Sequence, residues 1–278
     1  MTRTKQTQSK RLLAIGDIHG HLNKLQSLMA QVNPTTKDQV VFLGDYVDRG
    51  PDSKGVIEYL IDFQKRFPKT VFLRGNHEQM LLDAMVEDRL YNGPYCANER
   101  KRLKDLSVSF ARYTILDDDY GRFIDNGGQS TLDNYGGIIC DIPKQHEDFL
   151  ASCGFWHRET ADIQVHGEEP KRQEFIFVHA GVCPGIVLED QNIEDLLWIR
   201  EPFLSHYHRY LGQTVPVTHS NSISAVVVHG HTPELEAPVF KEHRIGLDGG
   251  ANNQSFGSEV WGRIVCCDVL THEYWEQA

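Results

Sequence analysis

The chain has 278 residues, 40% of them hydrophobic, which is enough for one sizeable core rather than two equal domains. A formal charge of -11 argues against binding nucleic-acid polymers or anionic membranes, because both demand basic surface. No apolar run approaches the roughly 20 residues of a spanning helix, and the polar stretch Met1 to Lys10 does not read as a signal sequence. A cytoplasmic chain is expected, with a disordered tail over residues 1–10 and a single domain over 11–278. The six cysteines show no C-x-x-C spacing, so reduced thiols are expected and a structural zinc site is not.

Leu12 to Ile15, Gln39 to Leu43 and Thr70 to Leu73 read as short strands. Between them, Leu22, Leu25, Leu28 and Met29, then Val56, Ile57, Leu60, Ile61 and Phe63, recur at helical spacing. This is a βαβαβ unit, whose crossovers bring the ends of all three strands to one edge of a parallel sheet. Residues from about 79 to 155 read as a largely helical insertion, with helical stretches at Gln79 to Leu90, Asn98 to Leu116 and Lys144 to Leu150 and a Gly-rich turn at Asn126 to Gly128. Phe155 to Glu159 and Phe175 to Val178 then read as paired strands, with Thr160 to Glu174 as the loop between them. The last third returns to strands at Ile223 to Val228, Arg244 to Leu247, Val260 to Val269 and His272 to Trp275, suggesting a second sheet packed on the first.

Five motifs end these strands: Gly16-Asp17-Ile18-His19-Gly20, Gly44-Asp45-Tyr46-Val47-Asp48-Arg49-Gly50, Gly75-Asn76-His77-Glu78, His179-Ala180-Gly181 and His229-Gly230-His231-Thr232. They supply Asp, Asn and His for two divalent cations, an arginine for phosphate and a spare histidine for protons, the inventory of a two-metal phosphoester hydrolase. Carboxylate, imidazole and amide oxygen suit hard or borderline ions, and no motif offers a thiolate to a soft one. Taken singly, Asp17 and Asp45 could each cap a turn or helix, but two carboxylates converging without a cation would repel.

The ordered set resembles the phosphoprotein phosphatase branch of the calcineurin-like metallophosphoesterases, in its bacterial form, from roughly Leu12 to Asp268. That resemblance implies a four-layer α/β/β/α sandwich and two divalent metals, manganese or iron with manganese, with zinc also compatible. It implies phosphomonoester hydrolysis by direct attack of a di-metal-bound hydroxide. It assigns Asp17 and His19 to one metal, Asp45 to both, and Asn76, His179 and His231 to the other. It makes His77 the proton donor to the leaving oxygen and Asp48 the group that orients it; a carboxylate-held imidazole suits that task near neutral pH. Arg49, Asn76 and, through Leu197-Trp198-Ile199-Arg200, Arg200 become the phosphate-binding residues. For Arg200 a surface ion pair is the competing reading, and for His77 a structural role.

His229 would face the same side as His231 if the strand continued, and the family pattern favours His231. Arg74 and Glu78 read as supports, and Asp248 either lines the pocket rim or serves its turn. The expected function is a serine/threonine protein phosphatase acting on a phosphoprotein or phosphopeptide. The alternative is a symmetric dinucleoside tetraphosphate hydrolase, or a substrate-tolerant phosphatase. Asp48 and Glu78 favour the protein phosphatase; a polyphosphate would require a further basic cluster, none lies beside the motifs, and Arg100 to Lys104 is the one candidate for it.

Overall fold

The computed structural model describes residues 10–92, 118–163, 169–205, 207–210, 213–216, 225–234, 236–252 and 262–278. The N-terminal nine residues, the stretch Asn98 to Leu116, the basic cluster Arg100 to Lys104 and Cys96 lie outside the described residues. In chain order the elements are β1 (Leu12–Ile15), α1 (Leu22–Val32), β2 (Gln39–Phe42), α2 (Ser53–Arg66), β3 (Val71–Phe72) and α3 (Asn76–Asn92). There follow α4 (Asp119–Phe123), a wide helical turn (Ile124–Gly128), α5 (Gln129–Asp133), α6 (Lys144–Ser152), β4 (Trp156–Ile163), β5 (Lys171–Val178) and α7 (Ile193–Trp198). The chain closes with β6 (Tyr207–Tyr210), β7 (Gln213–Pro216), β8 (Val226–His229), β9 (Val239–Phe240), β10 (Arg244–Gly246), β11 (Ile264–Asp268) and β12 (Glu273–Gln277).

Two five-stranded mixed sheets carry the fold, ordered β12-β11-β1-β2-β3 and β4-β5-β8-β10-β9. Strand alternation sorts their side chains into layers. Leu12, Ala14, Val41, Leu43, Val265 and Cys267 meet Phe175, Phe177, Val228 and Ile245 of the other sheet. Their sequence neighbours Leu13, Ile15, Val40, Phe42, Ile264 and Cys266 face outward under Leu25, Leu28, Val56, Ile57, Leu60 and Leu81 of the first three helices. Beyond the second sheet, Ile176, Val178 and Val227 pack on Leu196 of α7. A one-residue slip of β1 would exchange these two sets, so burial on both faces pins its register. The adjacent Cys266 and Cys267 therefore lie on opposite faces of β11, and the five described cysteines are free.

The helices follow from their ends as well as their faces. Asp52 caps α2 by accepting the Gly55 N–H at 2.8 Å, and Lys65 and Arg66 lie in its last turn, where cations suit the exposed carbonyls. Asn33 ends α1 in the left-handed conformation, φ 44°. No described helix is long and apolar enough to cross a membrane.

Two expectations change. The supposed loop Thr160 to Glu174 is largely strand: β4 runs to Ile163 and β5 starts at Lys171, paired antiparallel as Ile163 with Lys171 and Thr160 with Glu174. β4 lies at the sheet edge with half-exposed and exposed residues alternating, so it needs no apolar repeat to mark it. The C-terminal strands also do not form one sheet. β8, β9 and β10 join β4 and β5, whereas β11 pairs antiparallel with β1 and carries β12 into the first sheet.

Candidate active site

Each motif emerges where a parallel strand stops. β1, β2 and β3 run parallel in one sheet, and β5, β8 and β10 run parallel in the other. Asp17, Asp45 and Asn76 follow the first three, while His179, His231 and Asp248 follow the second three. The loops are laced together: Ile18 and His19 donate their N–H groups to the Asp45 carbonyl at 3.0 and 2.8 Å, and Gly230 donates to the His179 carbonyl at 2.8 Å. Gly75 allows a close approach of two of these loops, since a Cβ there would stand 2.1 Å from Asp45 Oδ1 and 2.5 Å from the Asp45 nitrogen.

Glu78 organises this edge from the first turn of α3. Its fully buried carboxylate accepts the N–H groups of Asp45, Tyr46, Val47 and Gly75 at 2.8, 2.7, 3.2 and 2.9 Å. Burial pushes its pKa up to about 7, against the pull of those four donors. His19, Asp45, Asp48, Arg49 and His231 all have positive φ, 45°, 54°, 71°, 67° and 62°. For residues with a Cβ this conformation is strained, and here it falls on the very side chains that converge.

Four potential ligand atoms converge at one end of the pocket. Asn76 Oδ1 lies 2.9 Å from His179 Nε2 and 3.0 Å from His231 Nδ1, and His179 Nε2 lies 3.3 Å from Asp45 Oδ1. His179 Nδ1 donates to the Leu43 carbonyl at 3.0 Å, which leaves the Nε2 lone pair facing the pocket. At the other end His19 Nδ1 donates to the Val47 carbonyl at 2.9 Å, and its Nε2 lies 3.5 Å from Asp45 Oδ2. Asp45 thus lies between the two groups, with Oδ2 toward His19 and Oδ1 toward His179, where it could serve both. Asp17 is buried beside Asp248 and accepts the His231 N–H at 3.1 and 3.2 Å.

The ligand atoms of His19, Asp45 and His77 cluster within 4.8 Å, as do those of Asp45, His179 and His231. His77 enters the first cluster because its Nε2 lies 3.9 Å from Asp45 Oδ2. Its Nδ1 is committed to Asp48 Oδ2 at 2.7 Å, and its buried Nε2 has no hydrogen-bond partner.

The electrostatics fit divalent cations. Burial raises Asp17 and Asp45 well above the usual carboxylate range, reinforced by Asp248 and Asp45 for the first and by Glu78 for the second. Asp248 rises to about 6 and Asp48 to about 7 for the same reason. Burial lowers His179 to about 3 and also depresses His19 and His231. Ionising these carboxylates together is costly because they crowd buried negative charge, and the neighbouring imidazoles stay unprotonated and cannot offset it; a metal ion bound among them would relieve that cost. Oxygen and nitrogen donors without a thiolate suit manganese, iron or zinc.

Arg49 lies at the pocket mouth with Nη1 3.0 Å from His19 Nε2, and its N–H donates to the Gly127 carbonyl at 3.2 Å. Arg200 is exposed just beyond α7, near enough for its charge to help depress His179 and His231. Trp198 of α7 puts its ring against His231, with centroids 5.8 Å apart, and Arg122 of α4 covers the same indole at 4.8 Å. His229 turns away: β8 ends there, and its Nε2 meets Arg244 Nη1 at 3.1 Å. It does not share a side with His231 because His231 has left the strand at φ 62°. Arg74 braces the neighbourhood instead of the ligands, bonding Gln79 at 2.9 Å and the Ala151 carbonyl at 2.6 Å.

Thr131 was not legible as a site residue. It comes from α5 and reaches Asp48 Oδ1 at 2.6 Å across 83 positions of sequence. The Gly-rich turn before it was the available signal. Asp248, which could equally have served only its turn, is a buried wall of the site.

Residues 10–236 match the family described as calcineurin-like phosphoesterase. Over 64 residues the chain is 44% identical to the serine/threonine-protein phosphatase 4 catalytic subunit of Kluyveromyces lactis, covering 23% of this chain and 21% of that protein. Over 78 residues it is 37% identical to the serine/threonine-protein phosphatase rdgC of Drosophila melanogaster, covering 27% of this chain and 12% of the fly protein. The matched stretches thus span about a fifth or less of these relatives. A crystal structure provisionally named a diadenosine tetraphosphatase superposes with a TM-score of 0.53 at 18% identity, over 97% of this chain and 94% of the other. At that identity the likeness is one of fold.

Proposed function

Because this chain belongs to the calcineurin-like phosphoesterase family, we propose that it is a metal-dependent phosphatase acting on phosphoserine or phosphothreonine monoesters in proteins or peptides. The observation that carries this reading is the buried His77 and Asp48 pair, 2.7 Å between Nδ1 and Oδ2, with His77 Nε2 turned toward Asp45. A serine or threonine alkoxide is a poor leaving group and needs a proton as the P–O bond breaks. When the pair is neutral overall, Nε2 keeps a proton wherever the shared one sits. The stretches that resemble serine/threonine-protein phosphatases support the same reading.

Asp17, His19, Asp45, Asn76, His179 and His231 would hold two divalent cations, most consistent with manganese or iron with manganese. Those cations supply Lewis acidity toward phosphoryl oxygens and lower the pKa of water. Arg49 and Arg200 bind the remaining phosphoryl oxygens and offset the charge that builds on them, with the Asn76 amide beside them. Glu78 holds the loop that carries Asp45 in place, and Asp48 keeps His77 aimed at the leaving oxygen.

The test is a side-by-side measurement of kcat/KM on phosphoserine and phosphothreonine peptides and on diadenosine tetraphosphate, with a defined metal. A higher value on the peptides is expected. A clear preference for the dinucleotide, lost when Arg100, Lys101, Arg102 and Lys104 are neutralised, would replace this reading with dinucleoside polyphosphate hydrolysis.

A further inference from the structure

We propose that Thr131 is a positioning residue for proton donation: from the helical segment after residue 118 it fixes Asp48, and through Asp48 it aims His77. The inference rests on the reading of His77 as the donor.

The contacts are reciprocal. Thr131 Oγ1 donates to Asp48 Oδ1 at 2.6 Å and accepts the Asp48 N–H at 2.9 Å. Ser53 Oγ lies 3.0 Å from that same nitrogen and 3.0 Å from Thr131 Oγ1. Thr131, Ser53, Asp48 and His77 are all fully buried, so no water replaces a lost partner. With Oδ1 held by the threonine, Oδ2 is the oxygen left for His77 Nδ1. A carboxylate anchored at one oxygen cannot rotate, and rotation of Asp48 would swing the imidazole with it.

The backbone needs the same support. Asp48 and Arg49 are consecutive residues at φ 71° and 67°, a conformation that persists only when surrounding bonds overdetermine it. Thr131 and Ser53 take the Asp48 N–H, and the Gly127 carbonyl takes that of Arg49. The segment itself is seated firmly, with Phe123 and Leu132 in the main core. A methyl-bearing side chain without the hydroxyl would preserve this packing while releasing Asp48.

The experiment compares Thr131→Val, Thr131→Ala, Thr131→Ser and His77→Asn, metal-loaded, on a phosphoserine peptide and on an aryl phosphate whose leaving group needs no proton. Thr131→Val and Thr131→Ala are expected to lower kcat on the peptide by about tenfold or more, with KM within about twofold and the aryl rate within about threefold. Thr131→Ser is expected to recover both rates to within about threefold of the parent. In the metal-free protein, the His77 Nδ1–H proton resonance, assigned by its loss in His77→Asn, should move in the alanine and valine variants and stay in the serine variant. Parent-like peptide turnover, equal losses on both substrates, or an unmoved resonance in whichever of the two hydroxyl-free variants folds overturns the proposal. Equal losses on both substrates in His77→Asn remove the donor reading itself, whereas a selective His77→Asn beside an unaffected Thr131→Val overturns only the role of Thr131.

Discussion

His179 Nε2 stands 2.9 Å from Asn76 Oδ1, and neither atom has a proton to share. The ring's single N–H is spent on the Leu43 carbonyl, and burial holds the imidazole neutral with a pKa near 3. Two acceptors at this separation repel unless a cation lies between their lone pairs.

Metal dependence follows from that contact. Activity is expected to vanish on exhaustive chelation and to return with divalent metal, at a content near two ions per chain by elemental analysis. Asp45→Asn should lower the content of both ions together, since the two oxygens of Asp45 face the two groups. Full activity in the chelated protein would rule out the metal-dependent mechanism.

Phosphate recognition is expected to fall on the two arginines. Replacing Arg49 or Arg200 by Ala should raise the inhibition constant for inorganic phosphate by about tenfold or more while leaving metal content unchanged. Unaltered inhibition in the Arg200 variant would reduce that exposed side chain to a surface charge.

Glu78→Gln tests the frame under the ligands. One amide oxygen cannot accept all four N–H groups that now meet the carboxylate, and its NH2 would face donors. A loss of about 2–4 kcal/mol in unfolding free energy is expected, seen as a lower Tm, with weakened metal retention. A parent-like Tm would show that the loop holds without this acceptor.

Asp83 gives a pH signature on α3. Burial pushes its carboxyl up to about 7, helped by Asp119 and opposed by the Gln79 amide at 2.8 Å. A folded pKa above the unfolded one means the carboxyl's contribution is full below about pH 4 and is lost as pH rises through 7. Asp83→Asn, neutral throughout, should therefore melt higher than the parent at pH 8, by roughly 2–4 °C per kcal/mol recovered, and the gap should close toward pH 4. Equal Tm differences at both pH values would contradict the assigned ionisation.

Much of this protein was decided locally. Apolar runs ending in Gly-Asp, Gly-Asn or His predict strands that deliver donors to one edge, and β1, β2, β3, β5 and β8 do so. The choice of donor types, and so the choice of hard or borderline metals, is likewise a property of the residues themselves. Tertiary structure decided what depends on distant partners. The second half of β4 is polar and half exposed, so only its pairing with β5 carries the strand past Glu159 to Ile163. His229 and His231 are separated by a left-handed turn that no residue type announces, and Arg244 then claims the first. Asp48 meets Thr131 across 83 positions, a contact made by packing a helical segment onto the loop after β2. Sequence periodicity records which face of an element is buried, but it carries no term for which buried polar group another element will bring to meet it.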